Sequence, residues 1–318
     1  MPRGESAIAT DNARRSATAA LAWLAGLAAL TAAASAHPGP HHEIAAIDRI
    51  LATQPARADA WARRGLLYRL EGNLPASVAD LDRAVALAPA DLDIRLHRAL
   101  TLAELRRDAD ARDDLARYFG AGGDSANAFA LRARLAERAG DTAAAIDDYA
   151  AALRRHVDVD RVLARGRLLV TAGRLDEAAA CLRDALPALH QAWVVRTALI
   201  DIEARRGRHD AAIALVDEQI SRLPNGADAW LRRATLLEQA GQPQAAAVDR
   251  RRALHAAEAA LRARSTPLNR LALARALAAV DRPADARREL DVVLGEAPTL
   301  PAAVALRDEL QSSTRGAR

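Results

Sequence analysis

The sequence predicts an all-α fold, a stack of helical hairpins, on three observations. A pattern of about 34 residues recurs from residue 58 to residue 300. Small residues and turn glycines return at fixed places within it. The chain is 51% hydrophobic but only 3% aromatic, with alanine carrying much of the excess. That composition disfavours sheets and suits closely packed helices. A chain of 318 residues is long enough for one extended repeat array.

The first 36 residues read as an export signal. Arg14 and Arg15 precede an apolar core from Ala19 to Leu30, and Ala34-Ser35-Ala36 ends in a cleavage-like triplet. Retention as a membrane anchor is the alternative, but a span needs about 20 strongly apolar residues and this run is short and diluted by alanine. Residues 37–57 form a lead-in and a capping helix. Pro38-Gly39-Pro40 is a helix-incompatible spacer, and His42–Thr53 has helical periodicity with Ile44, Ile47, Ile50 and Leu51 on one face.

From residue 58 the clearest unit carries Trp61, Gly65 and Tyr68 on a first helix, Gly72 in the turn, Ser77, Leu81 and Ala84 on a second helix, and Pro89 at its close. Laid along the chain, this unit starts near residues 58, 92, 126, 159, 193, 227 and 267. The turn then falls on Gly72, Gly140, Gly173, Gly207 and Gly241, with Arg106 and Asp281 in the other two units. The first small position of the second helix is Ser77, Ala111, Ala145, Ala178, Ala212, Ala246 and Ala286. Helix axes within about 8–10 Å of each other require such small contacts. The second helix of the sixth unit is overlong, approximately Gln244–Arg264, and residues 301–318 supply a C-terminal capping helix, "PAAVALRDELQ", and a tail.

This W-G-Y, A, P skeleton resembles the tetratricopeptide repeat over residues 58–300, about seven units, and the resemblance implies a right-handed α-solenoid that binds a protein or peptide in a concave groove lined by first helices. Carried onto the groove columns of the family, it singles out Arg63, Arg69, Arg134, Arg138, Arg167, Arg232 and Arg275, interspersed with leucines such as Leu66, Leu163 and Leu231. Forked guanidinium donors suit a peptide bearing carboxylates. Asp59, Asp93, Glu104, Glu137, Asp160 and Asp228 share the neighbourhood, so internal pairing of these arginines stays open. Two departures stand out. Ile200 takes a small position in the fifth unit and predicts a shifted or loosely packed helix. Tyr118 takes one in the second, ahead of Gly120-Ala121-Gly122-Gly123, the expected flexible joint.

Catalytic signatures are missing from the sequence: it has no H-E-x-x-H, phosphate-binding glycine loop or G-x-S-x-G elbow. The pairs Asp113-Asp114 and Asp147-Asp148 read as exposed helix-face charges, and His97, His156, His190, His209 and His255 as surface or helix-end residues. Cys181, the single cysteine, cannot form an internal disulfide and reads as a small buried residue. The chain is therefore expected to be a non-enzyme without cofactor, a periplasmic or secreted scaffold for a protein partner, meeting a membrane only if residues 1–36 are retained. All 45 basic side chains are arginine, balanced by 41 acids, a surface that does not predict nucleic-acid binding. The competing readings are a membrane-anchored assembly factor and a metal-handling protein. The latter uses His37, His41 and His42, with cleavage after Ala36 freeing an amine beside His37.

Overall fold

The computed structural model of the chain describes residues 40–189, 192–223 and 226–316, and the expected export signal and His37 lie outside these. The described residues hold sixteen helices and no strand. They fall into two compact units, which meet between Asp124 and Ser125. The first contains a cap, α1 (Pro40–Thr53), and two hairpins, α2/α3 (Ala58–Leu70, Leu74–Leu87) and α4/α5 (Leu92–Glu104, Asp108–Gly120). The second begins with hairpins α6/α7 (Ala126–Arg138, Thr142–Arg155), α8/α9 (Val159–Thr171, Leu175–Ala185) and α10/α11 (Trp193–Arg205, His209–Arg222). It continues through α12/α13 (Ala227–Gln239, Pro243–Ala263) and α14/α15 (Pro267–Ala279, Pro283–Glu296) to α16 (Pro301–Gly316). Each unit is a helical repeat solenoid, and all seven first helices start at the residues the repeat spacing gives.

The reason the spacing works is visible at the contacts. Ser77, Ala111, Ala145, Ala178, Ala212, Ala246 and Ala286 are all fully buried. At Gly65 an added Cβ would stand 3.0 Å from Leu81 Cγ and 3.1 Å from the Ser77 carbonyl oxygen, so even alanine would push the hairpin apart. Every first helix ends in the same lock. The amide three residues past the helix end donates to a carbonyl five residues back, as in Asn73 to Tyr68 at 2.8 Å and Arg282 to Leu277 at 3.0 Å. The residue between must be left-handed. Gly72, Gly140, Gly173, Gly207 and Gly241 meet that requirement freely, while Arg106 (φ 61) and Asp281 (φ 59) meet it under strain.

Three local expectations are corrected, at Ile200, α1 and α16. Ile200 is not loosely held: it is 1% exposed in a cluster with Ala212, Val216, Ile220, Ala229 and Leu236. The stretch after α5, expected as a joint, adjoins the division between the two units, and within it Gly122 is left-handed, Gly123 donates to the Tyr118 carbonyl at 2.9 Å, and the buried Tyr118 ring covers Gly123. A Cβ at Gly123 would fall 2.3 Å from that ring, so the glycine is required by close approach. Helix α1 begins at Pro40 rather than His42, since a proline in the first turn sacrifices no helical hydrogen bond. On it Ile44, Ile47 and Leu51 are buried against Ala60 and Leu67, but Ile50 lies outside that stripe and is exposed. At the other end α16 runs to Gly316, beyond the expected 311, and buries Ala303 and Leu310 with Leu290 and Val293.

Replacing Arg106 by glycine relieves a left-handed side chain that costs about 1–2 kcal/mol. Arg106→Gly is therefore expected to raise the thermal midpoint despite the added unfolded-state entropy. Gly173→Ala, at a left-handed glycine, is expected to lower it. Calorimetry on the two variants checks both signs.

Candidate functional site

An arginine on the first helix of a hairpin and an aspartate sixteen residues later on the second form a repeated clasp. Arg64 donates from Nε and Nη2 to the two oxygens of Asp80 at 2.7 and 2.8 Å. Arg98 does the same to Asp114 at 2.7 and 2.6 Å, Arg132 to Asp148 at 2.8 and 2.5 Å, and Arg233 to Asp249 at 2.6 and 2.9 Å. All four carboxylates are buried. A buried carboxylate is tolerated only when paired and hydrogen-bonded, and the two-pronged guanidinium does both. The hydrogen bonds to the aspartates raise the pKa values of Arg64, Arg98 and Arg233, so these arginines stay charged.

Three of the four clasps have an aromatic back wall, and three have a second acid. Arg64 lies over the Trp61 ring at 4.8 Å, Arg132 over Phe129 at 5.2 Å and Arg233 over Trp230 at 4.7 Å. Arg64 also reaches Asp48 on α1, Arg98 reaches Asp82 on α3, and Arg233 reaches Asp217 on α11. These acids belong to the preceding second helix, so one guanidinium ties its own hairpin to its neighbour. Sequence reasoning placed Asp114 and Asp148 on exposed faces. They are 2% and 8% exposed, and only Asp113 and Asp147 face solvent. The missed signal was the sixteen-residue Arg-to-Asp interval recurring with the repeat.

Most of the arginines proposed for the groove are engaged inside the chain. In the first unit Arg63 pairs with Glu43 at 2.7 Å and Arg69 with Glu104, its Nε at 3.0 Å. In the second, Arg167 pairs with Glu137, Arg232 with Asp201 at 3.0 Å, and Arg275 with Asp228 at 3.5 Å. Arg134 and Arg138 are both exposed on α6. Asp59 pairs instead with Arg57 beside it. A groove of about 810 Å³ lies in the second unit between α12, α14 and α16. Leu231, Ala278, Ala302 and Leu306 give it an apolar lining, and Arg250, Arg275 and Glu309 stand among them.

The histidines divide. His41 Nδ1 lies 3.0 Å from Glu71 Oε1, and both His41 and His42 are exposed on α1. No group of three or more potential metal ligands occurs among the described residues, and His37 and His190 lie outside them. His97, expected at the surface, is half-buried on α4. Burial, and then the positive Arg69, hold its pKa below the ordinary value, against weaker opposing pulls from Asp93 and Asp91. No helix of the described residues is long and apolar enough to cross a membrane.

A tetratricopeptide repeat family model matches residues 44–91, 130–192, 163–222 and 197–250, more than half of the chain. The chain belongs to the tetratricopeptide repeat family. Comparison with curated protein sequences returns no match. Among solved structures, the C-terminal part of a repeat-containing protein from Cytophaga hutchinsonii is 16% identical with a TM-score of 0.55, covering 76% of this chain and 98% of that one. A tetratricopeptide repeat protein from Parabacteroides merdae is likewise 16% identical, with a TM-score of 0.47, covering 80% and 98%. At such identities the likeness is one of fold. As a tetratricopeptide repeat array the chain is a protein-interaction scaffold of a generally non-catalytic family.

Removing one partner of a clasp strands a buried charge, which costs about 3–5 kcal/mol. Asp249→Ala should therefore destabilise strongly in urea unfolding, and the double variant Arg233→Leu/Asp249→Leu should recover much of the loss. His97 has the opposite dependence from a paired histidine. Because its folded pKa is lowered, the unfolded chain takes up the proton first as pH falls below about 6.5. The thermal midpoint should fall between pH 7 and pH 5.5, and His97→Gln should show a smaller fall over the same window.

Proposed function

We propose that the chain is an exported, non-catalytic scaffold that seats a partner peptide in the groove between α12, α14 and α16. The observation that carries this reading is the groove's lining, an apolar floor bordered by an arginine whose internal pairing is loose. Arg275 is held by Asp228 only at 3.5 Å, with both side chains partly exposed, so exchanging that contact for a ligand carboxylate costs little. Its volume of about 810 Å³ is within the usual range of binding sites, ~300–1,000 Å³. Arg63, Arg69, Arg167 and Arg232 serve mainly to join neighbouring helices, and the exposed Arg134 offers a secondary charge on α6.

The preferred ligand is a segment presenting one apolar anchor and one carboxylate. Residues 1–36 direct export, and the mature chain begins at His37, which places the scaffold in the periplasm or outside the cell. N-terminal sequencing of protein from the native host tests that part: His37 as first residue supports it, and retained residues 1–36 favour the anchored alternative.

Fluorescence titration with synthetic peptides that pair leucine with glutamate tests the groove. Arg275→Glu and Ala302→Trp are each expected to weaken binding at least tenfold. Unchanged affinity in both places the seat elsewhere.

A further inference from the structure

The fourth hairpin keeps the arginine of the clasp and none of its partners. In register, Arg165 on α8 corresponds to Arg64, Arg98, Arg132 and Arg233. The position of the clasping aspartate is Cys181. The place of the second acid on the preceding helix is Ala150, and that of the aromatic wall is Val162. All three, with Arg165 itself, line one cavity of about 290 Å³ between α7, α8 and α9, completed by Leu153 and Val157. Thus one large ring and two carboxylates have been cut back around a retained guanidinium, and open space stands where they would be.

In the cavity the arginine meets the Cys181 thiol in place of the clasping carboxylate, and the acid that lines it, Asp184, is solvent-exposed. The Arg165 Nε is buried and has no hydrogen-bond partner among the described residues. Burial pushes the Cys181 thiol pKa up, which outweighs the downward pull of Arg165 beside it, so at neutral pH the sulfur supplies no negative charge. The other charged residue that lines the cavity, Arg154, is solvent-exposed as well. Glu177, whose carboxyl feels Arg165 electrostatically, is already held by Arg174. The fifth hairpin shows how the same column looks when the charge is dispensed with, since both positions there are leucine, Leu199 and Leu215.

The geometry points to a carboxylate-binding site at Arg165, filled from outside the chain by the group that aspartate supplies in the sister repeats. Val157, Val162 and Leu153 suit a short branched aliphatic body behind the carboxylate, the size being set by about 290 Å³. The carboxylate comes either from a small aliphatic acid or from an acidic side chain of a partner protein. This site is separate from the groove of α12, α14 and α16, and its test does not depend on that groove.

Calorimetric titration of the full chain with 3-methylbutanoate, against 3-methylbutanamide, addresses the first source. A blocked glycine-flanked aspartate peptide, against its asparagine twin, addresses the second. Saturable binding of either acid but not its amide is expected, lost at least tenfold in Arg165→Met. Cys181→Asp should abolish that binding by restoring the internal clasp, and should raise the thermal midpoint by ~2–4 °C. That gain keeps the test informative if Arg165→Met folds poorly. Binding that survives Cys181→Asp, or failure of both acids to bind the unmodified chain, overturns the site.

Discussion

A guanidinium taken out of water between two helices must find an acid whose two oxygens match its fork, and the acid must be delivered from a fixed distance along the chain. The hairpin makes that delivery. With the turn locked by a left-handed residue, a side chain on the first helix and one sixteen residues later on the second meet face to face, as in Arg64–Asp80 and Arg233–Asp249. Lysine lacks the fork and would meet only one oxygen at a time. The all-arginine composition therefore has a structural use here, whatever its origin.

The same economy governs which charges remain for partners. Arginines on the first helices look from the sequence like a continuous binding surface. The fold spends several on pairs that join adjacent helices, such as Arg69–Glu104 and Arg232–Asp201. What remains is local: a groove with a loosely held Arg275, and a fourth hairpin whose Arg165 faces a cavity. Both proposed sites thus lie where the repeat leaves an arginine loosely held or short of its usual carboxylate.

The starts of the seven first helices, the seven turns and the seven small positions could all be read from the sequence, because each is fixed by sterics between near neighbours. Glycine and alanine carry that signal plainly. The burial of Asp114 and Asp148 could not be read from residue type, since a carboxylate is ordinarily exposed and only its distant arginine makes burial tolerable. Nor could the packing of Ile200 or Tyr118, whose size predicts crowding until the compensating neighbours are known. For Tyr118 the compensation is Gly123, read from the sequence as a joint and found beneath the ring.

The arginines that reach back to Asp48, Asp82 and Asp217 do more than stabilise single hairpins. In a linear array, cooperativity is set by the coupling between adjacent repeats rather than by the strength of each repeat alone. A guanidinium shared between two hairpins is such a coupling, and its contribution vanishes when either neighbour opens. Where Ala150 stands in the place of the second acid, that tie is missing, and the third and fourth hairpins are joined instead by Arg167–Glu137 and by Arg161, which donates to Asn127 Oδ1 at 2.6 Å. The ties between consecutive hairpins thus differ in kind along the chain, a shared guanidinium at some and a simple ion pair at others.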